Sequence, residues 1–267
     1  MLRRRFDASV SVWTDQGDRR TVNQDRVLVR QGIFRGRSVR MFLVADGCGG
    51  MAHGERISQM LADGFSEIWE NELPGQLTRP AAEFPAAVDS WLQQINTRAW
   101  QFGRQAGAQV GSTLSLLFFL DGNYFLFNVG DSRIYLRQKW RVWQLTEDQS
   151  ILADMLRNRE ITPLEAESYP GKNALTMCVG YFERVRAFRR TGKLRREDVF
   201  LLCSDGLYRG IGESHLLGCI PMHVREDSAL FLRGKIPQGG AEDNVTALLA
   251  EVLPWGTGVK AEDDQKW

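Results

Sequence analysis

Apolar positions in this chain fall into two rhythms. Short runs such as Phe42-Leu43-Val44-Ala45, Phe125-Leu126-Phe127 and Val199-Phe200-Leu201-Leu202-Cys203 are bounded by turn residues. Such runs predict buried strands. Residues 8–14 alternate as a strand, residues 27–30 form a short β-rich stretch, and residues 38–45 form a strongly apolar strand. Elsewhere the period lengthens. Ile57, Met60, Leu61, Phe65, Ile68 and Trp69 recur at three- and four-residue intervals and predict a helix over about 54–69, ended by Leu73-Pro74-Gly75. Val88, Leu92, Ile95, Ala99 and Phe102 place a second helix over about 81–105.

From 113 to 145 the texture is β, with strands at 113–120, 124–129, 133–137 and 141–145. Asp121-Gly122-Asn123 is a hairpin turn signal between the first two, and the four strands read as an antiparallel meander. Residues 148–170 are polar and helical in texture, with Thr162 as an N-cap and Pro163 at the first helical position. Strands are predicted again at about 184–189, 198–203 and 245–252, and a helix at about 226–235. Strands cluster in blocks instead of alternating with helices, which predicts an α+β fold with antiparallel sheets. Neither a repeat nor a linker divides it: one domain over 1–254, then a polar tail over 255–267.

Three of the apolar runs end in an aspartate beside a glycine: Asp46-Gly47, Gly130-Asp131 and Asp205-Gly206. A fourth aspartate, Asp243, stands just before the run beginning at Val245. A carboxylate at a strand end is held rigidly beside a core it cannot enter unpaired. Gathered at one sheet edge, such carboxylates repel unless cations lie between them. That points to a hard-oxygen site for Mg²⁺ or Mn²⁺.

Charge and cysteine usage narrow the picture. Among the 267 residues, 34 basic and 33 acidic side chains leave a net charge of +1, so no global field draws the chain to nucleic acid or membrane. Hydrophobic residues make up 43%, enough for a sizeable core, and no run approaches the roughly 18 apolar residues of a membrane span. Arg3-Arg4-Arg5 leads into Phe6-Asp7-Ala8-Ser9, which does not read as a signal peptide. Cys48, Cys178, Cys203 and Cys219 show no CxxC spacing; Cys178 and Cys203 lie in apolar surroundings and read as buried free thiols, which points to a reducing, cytoplasmic compartment. With His53, His215 and His223 as its only histidines, the chain does not suit a histidine-rich zinc site.

Taken in order, the motifs are specific. Arg20-Thr21-Val22-Asn23-Gln24-Asp25 is followed by Val44-Ala45-Asp46-Gly47-Cys48-Gly49-Gly50, by Gly54-Glu55 and by Gly111-Ser112-Thr113-Leu114. Val129-Gly130-Asp131-Ser132-Arg133, Cys203-Ser204-Asp205-Gly206-Leu207 and Glu242-Asp243-Asn244-Val245-Thr246 complete the set. Over residues 8–252 the chain resembles the metal-dependent serine/threonine protein phosphatases of type 2C, in their compact bacterial form.

The resemblance implies a four-layer αββα sandwich, two antiparallel sheets each flanked by a pair of helices, with the metals at one edge. It implies that Asp46 bridges two Mn²⁺ or Mg²⁺ ions, that the Gly47 carbonyl binds one, and that Asp205 and Asp243 complete the other. Asp131, with Asp205, resembles the ligand of a third, weaker ion. Arg20 matches the arginine that grips the substrate phosphate, and Asp25 a carboxylate that supports metal-bound water. Gln24, at a position often held by glutamate, and Asn244, beside Asp243, are expected to act through water or neighbouring ligands. Hydroxide bridging the ions then hydrolyses phosphoserine and phosphothreonine in proteins, opposing a bacterial serine/threonine kinase. The molecule is expected to be a cytoplasmic monomer, with residues 149–178 as the flap beside the site. One candidate setting is control of a secretion machine.

Bland readings stand beside these. Each aspartate alone is more often a turn residue, and Asp131 could cap a turn or pair with Arg133. Arg19 rivals Arg20. Cys48 stands where eukaryotic members carry a histidine thought to protonate the leaving group, and His53 lies five residues on. Two rival functions remain open at this stage: a catalytically weak or inactive regulator that binds phosphoproteins, and a two-metal nuclease.

Overall fold

The computed structural model describes residues 6–48, 51, 53–167, 169–171, 174–257 and 265–266; Arg3-Arg4-Arg5 and Gly49-Gly50 lie outside them. Strands β1 (Phe6–Asp15), β2 (Asp25–Phe34) and β3 (Arg37–Asp46) lead into α1 (Gly54–Asn71), the short α2 (Leu73–Gln76) and α3 (Phe84–Ala106). Next come β4 (Leu114–Leu120), β5 (Asn123–Val129), β6 (Arg133–Gln138) and β7 (Arg141–Gln144), then α4 (Ile151–Arg157) and α5 (Pro163–Glu167). β8 (Phe188–Lys193) and β9 (Val199–Cys203) are followed by α6 (Asp205–Ile211), α7 (Glu213–Cys219) and α8 (Ser228–Arg233). The long β10 (Val245–Pro254) and the two-residue β11 (Gln265–Lys266) complete the order.

The strands form two antiparallel sheets, β1-β10-β9-β6-β7 and β11-β2-β3-β4-β5-β8. Between them lies an apolar layer that includes Phe42, Val44, Leu117 and Phe119 from one sheet and Phe200, Leu202, Leu248 and Ala250 from the other. Outside the β2–β5 sheet, α1 and α3 bring Leu61, Phe65, Val88, Leu92 and Ile95 onto Met41, Leu43, Leu116 and Phe118. Outside the other, Leu207, Leu216 and Leu232 from α6, α7 and α8 cover Leu201, Ala247 and Leu249. The α+β, αββα architecture is as expected, but the second flank is three helices of seven, seven and six residues, not a pair.

This layering explains the apolar runs. Odd residues of β3 (Val39, Met41, Leu43, Ala45) face the helices, while Phe42 and Val44 face the opposite sheet. A strand covered on both faces cannot alternate polar with apolar. Each fully buried leucine or phenylalanine there contributes about 1.5–3 kcal/mol.

Two expectations from the sequence need correction. The segment 113–145 is not one meander: β5 pairs with β4 and β8, whereas β6 pairs with β7 and β9 in the other sheet. The chain changes layer at Gly130, whose φ of 90° turns it out of β5. The strand expected at 184–189 lies at Phe188–Lys193, because Val185 and Ala187 pack under the helices instead of joining the ladder.

Two turn signals are borne out. Thr162 and Glu165 form a capping box, with the Thr162 N–H donating to Glu165 Oε2 at 2.8 Å and the Glu165 N–H to Thr162 Oγ1 at 3.3 Å. Asp121 (φ 50°) and Gly122 (φ 76°) make the two-residue turn between β4 and β5, so that Leu120 opposes Asn123. Gly122→Ala is expected to cost about 1 kcal/mol, since a Cβ is disfavoured at that φ, and to lower the melting temperature by about 2–4 °C. An unchanged melt in calorimetry would contradict this.

Candidate active site

The edge of the sandwich where β2 begins and β3 ends collects the acidic residues. Asp25 opens β2 and opposes Asp46, the last residue of β3. Asp205 is the first residue of α6, directly after β9 and Ser204, and Asp243 precedes β10. Asp131 lies in the turn between β5 and β6. Asp46 and Asp25 thus come from one sheet, and Asp205 and Asp243 from the ends of the other.

Small residues let these loops close on one another. A Cβ added to Gly206 would sit 2.1 Å from the Asn244 carbonyl oxygen, and one on Gly47 would sit 2.5 Å from the Gly54 backbone at the start of α1. Neither position admits a side chain. Asn244 ties the loop carrying Arg20 to this edge. Its Oδ1 accepts from the Gln24 N–H at 2.9 Å, and its Nδ2 donates to the carbonyls of Gln16 and Val22 at 3.0 and 2.9 Å. Asp46 is held from both sides. Its N–H donates to Thr113 Oγ1 at 3.1 Å, and its carbonyl accepts from the Thr113 N–H at 2.8 Å and Ser112 Oγ at 3.0 Å.

Burial in this crowded edge raises the acids. Asp25 is pushed up to about 7, chiefly by burial; Ser204 and Thr246 oppose the shift, donating to its Oδ2 at 2.8 and 2.6 Å, and Asp205 and Asp243 add to it. Burial also raises Asp46 well above the usual carboxylate range, reinforced by Asp25, Asp205, Asp131 and Asp243. Asp131 is pushed up to about 7 by burial and Asp205, against the pull of Arg209. Asp205 is raised by burial, which Arg209 partly offsets.

Two arginines enter the cluster. Arg20 Nη2 donates to Asp243 Oδ2 at 2.7 Å, while Arg19 pairs outward with Glu242 at 3.0 Å, which separates the two rivals. Arg209 reaches both Asp131 and Asp205 at 3.0 Å. Arg133, the other partner considered for Asp131, is instead bound to Asp148 through Nε and Nη2 at 2.7–3.1 Å. Arg209, Ser204 and Thr246 were not singled out from the sequence. The available signal was Arg209 standing four residues after Asp205, which is informative only once a helix is placed there.

Gln24 turns its amide to Glu55 Oε2 at 3.1 Å on α1. Cys48 Sγ lies against Cys178 and Met51 around Gly111, and the His53 ring packs edge-on to Phe102 at 5.6 Å between centroids. Among the described residues, no three Asp, Glu, His or Cys side chains already close into a single-ion cage. Asp243, Asp131 and Asp205 are instead paired with Arg20 and Arg209. The donor set nonetheless fits hard divalent ions at Asp25, Asp46, Asp205 and Asp243. It is all oxygen, Asp25, Asp46 and Asp205 are raised by burial and repulsion that a cation would cancel, and Asp25 Oδ1 is buried with no hydrogen-bond partner.

Carboxylates from two sheets converging at one edge, with Arg20 paired to one of them, suit a metal-dependent phosphoester hydrolase. Residues 16–223 match the Protein phosphatase 2C family model. The chain belongs to the protein phosphatase 2C family, metal-dependent enzymes that hydrolyse phosphoserine and phosphothreonine in proteins. It is 31% identical over 243 residues to the serine/threonine phosphatase stp of Listeria monocytogenes, covering 89% of this chain and 93% of that protein. The catalytic domain of the serine/threonine protein phosphatase PstP, solved with two manganese ions, superimposes with a TM-score of 0.76 at 25% identity, covering 93% of this chain and 100% of that one. PppA, described as a key regulatory component of T6SS in Pseudomonas aeruginosa, superimposes with a TM-score of 0.74 at 26% identity, covering 92% and 98%. The stp and PstP proteins are named serine/threonine phosphatases, which disfavours the inactive-regulator and nuclease readings. No helix among the described residues is long and apolar enough to cross a membrane.

Proposed function

We propose that Asp46, the Gly47 carbonyl, Asp205 and Asp243 hold two Mn²⁺ or Mg²⁺ ions, with Asp25, Gln24 and Asn244 acting behind them. The observation that carries this reading is the orphaned Oδ1 of Asp25, buried among carboxylates that burial and mutual repulsion raise. Ions bound there would neutralise the substrate phosphate and activate water at neutral pH. The chain's own residues do the rest. Arg20 is 38% exposed, contacts a single carboxylate and rides on the loop of residues 16–24, so its fork can exchange Asp243 for two phosphate oxygens. Asn244 keeps that loop in register with Asp243. Thr113, bound to Ser132 Oγ at 2.6 Å, fixes the backbone of Asp46. Because the Cys48 thiol turns to Cys178 and His53 packs on Phe102, solvent water donates the proton to the departing serine or threonine oxygen.

The substrates are phosphoproteins modified by a cognate serine/threonine kinase in the cytoplasm. The catalytic unit is residues 1–254, a monomer, with residues 149–178 as the flap that selects substrate. Control of a secretion machine remains one candidate setting, supported by the likeness to PppA.

Phosphate release from a phosphothreonine peptide, measured with Mn²⁺ and with chelator, tests the reading. Turnover that needs the ion supports it, and hydrolysis of DNA but not of the peptide would overturn it. Arg20→Ala is expected to lower kcat/KM about 10- to 100-fold, mostly through KM, in line with the loss of a bidentate charged contact worth about 1.5–3 kcal/mol. An unchanged KM would remove Arg20 from the phosphate site.

A further inference from the structure

Arg209 stands where the resemblance puts a third ion. Its Nη2 lies 3.0 Å from Asp131 Oδ2 and its Nη1 lies 3.0 Å from Asp205 Oδ2. One arm of the guanidinium goes to each carboxylate, so the fork bridges two acids from distant parts of the chain. Asp205 opens α6 and Arg209 follows one helical turn later, so the same short helix delivers an acid and its cation. Asp131 is fixed against that helix by the Tyr208 hydroxyl, which donates to its carbonyl at 3.2 Å. Both carboxylates are nearly buried, with side-chain exposures of 9% and 15%.

We propose that Arg209 is a built-in cation that takes the place of the third metal ion, so that this enzyme works with two. The inference rests on the two-ion reading above. A guanidinium and a divalent ion at this point need the same oxygens and repel one another, so they exclude each other. The arginine is tethered beside its ligands, at an effective concentration in the millimolar range or above, and outcompetes a weakly held ion. It takes one oxygen of Asp205 and leaves the other for a core ion. The residues therefore do not fit a third ion at Asp131 and Asp205.

The core pair escapes the same objection. Among the described residues no arginine pairs with Asp25 or Asp46, and Arg20 touches only Asp243 from a loop. Arg209 is therefore a positioning residue: it holds Asp205 in one orientation through charge without touching the phosphate.

Counting tightly held Mn²⁺ by equilibrium dialysis and elemental analysis tests this in the full chain. Wild type and Arg209→Lys are expected to hold two ions, and Arg209→Ala and Arg209→Gln three. Adding Asp131→Asn to Arg209→Ala is expected to return the count to two. Circular dichroism identifies the folded variants, and the wild-type count stands without them. A third ion in wild type, held within about threefold of the affinity in Arg209→Ala, would overturn the proposal. So would a count of two in a folded Arg209→Gln protein, while the two-ion reading stood. Fewer than two ions in wild type would sink both.

Discussion

Asp46→Asn and Asp243→Asn are each expected to reduce phosphate release from a phosphothreonine peptide by about 10²–10³-fold or more at saturating Mn²⁺, the scale seen when one preorganised electrostatic contact is removed. An amide keeps the shape and one oxygen but removes the charge that a hard divalent ion requires. The same substitutions should leave the metal-free fold intact. Asp46 is raised well above the usual carboxylate range by burial and by four neighbouring aspartates, so its charge works against folding when no cation is present. Metal-free Asp46→Asn is therefore expected to melt at or above the wild-type temperature while being far less active, a trade between stability and activity. A variant that lost both together would mark Asp46 as a structural residue. Full activity in either variant would remove that carboxylate from the ligand set.

The metal-free protein should become less stable as pH rises, opposite to the usual behaviour of a carboxylate salt bridge. Asp25 and Asp131 titrate at about 7 when folded, against 3.8 ordinarily. Between those values the folded state holds protons that the unfolded chain has released. Stability is then fully present below about pH 4 for these groups and is lost as pH rises through about 7. Each proton held contributes a slope of about 1.4 kcal/mol per pH unit, or roughly 3–5 °C in melting temperature for a chain of this size. Millimolar Mn²⁺ should flatten the part of the profile that comes from Asp25, because an ion beside it stabilises the ionised acid and displaces its proton. Melts at pH 5.5, 6.5 and 7.5, with chelator and with Mn²⁺, check this. A metal-free profile that rises with pH would show that the acids lie too far apart, or too exposed, to couple.

The sequence made the strands and the aspartates legible for one reason. β3, β9 and much of β10 are covered on both faces, so their apolar runs are continuous and end abruptly at polar residues. What remained hidden depended on contacts distant in sequence. Nothing local distinguishes β5 followed by a turn within its own sheet from β5 followed by a crossing to the other, so the layer change at Gly130 could not be seen. β8 was misplaced because it is an edge strand with exposed arginines, whereas the apolar residues just before it pack under α3. α6 and α7 were missed because each is only seven residues long and carries a glycine. Missing α6 concealed the spacing that sets Arg209 beside Asp205. The site was thus legible in its acids, which mark strand ends, and illegible in the cation that answers them.

The division of the acids between two sheets has a mechanical meaning. Asp25 reaches Thr246 across 221 residues of sequence, and single hydrogen bonds from Ser204 and Thr246 tie it to the other sheet. Ions shared by Asp46, Asp205 and Asp243 would fasten the same seam far more firmly, closing a loop that spans most of the chain. Small secreted domains obtain such a staple from a disulfide. In this protein, whose four cysteines are free, the reaction centre would double as that staple, so the enzyme would be most firmly fastened when it is armed.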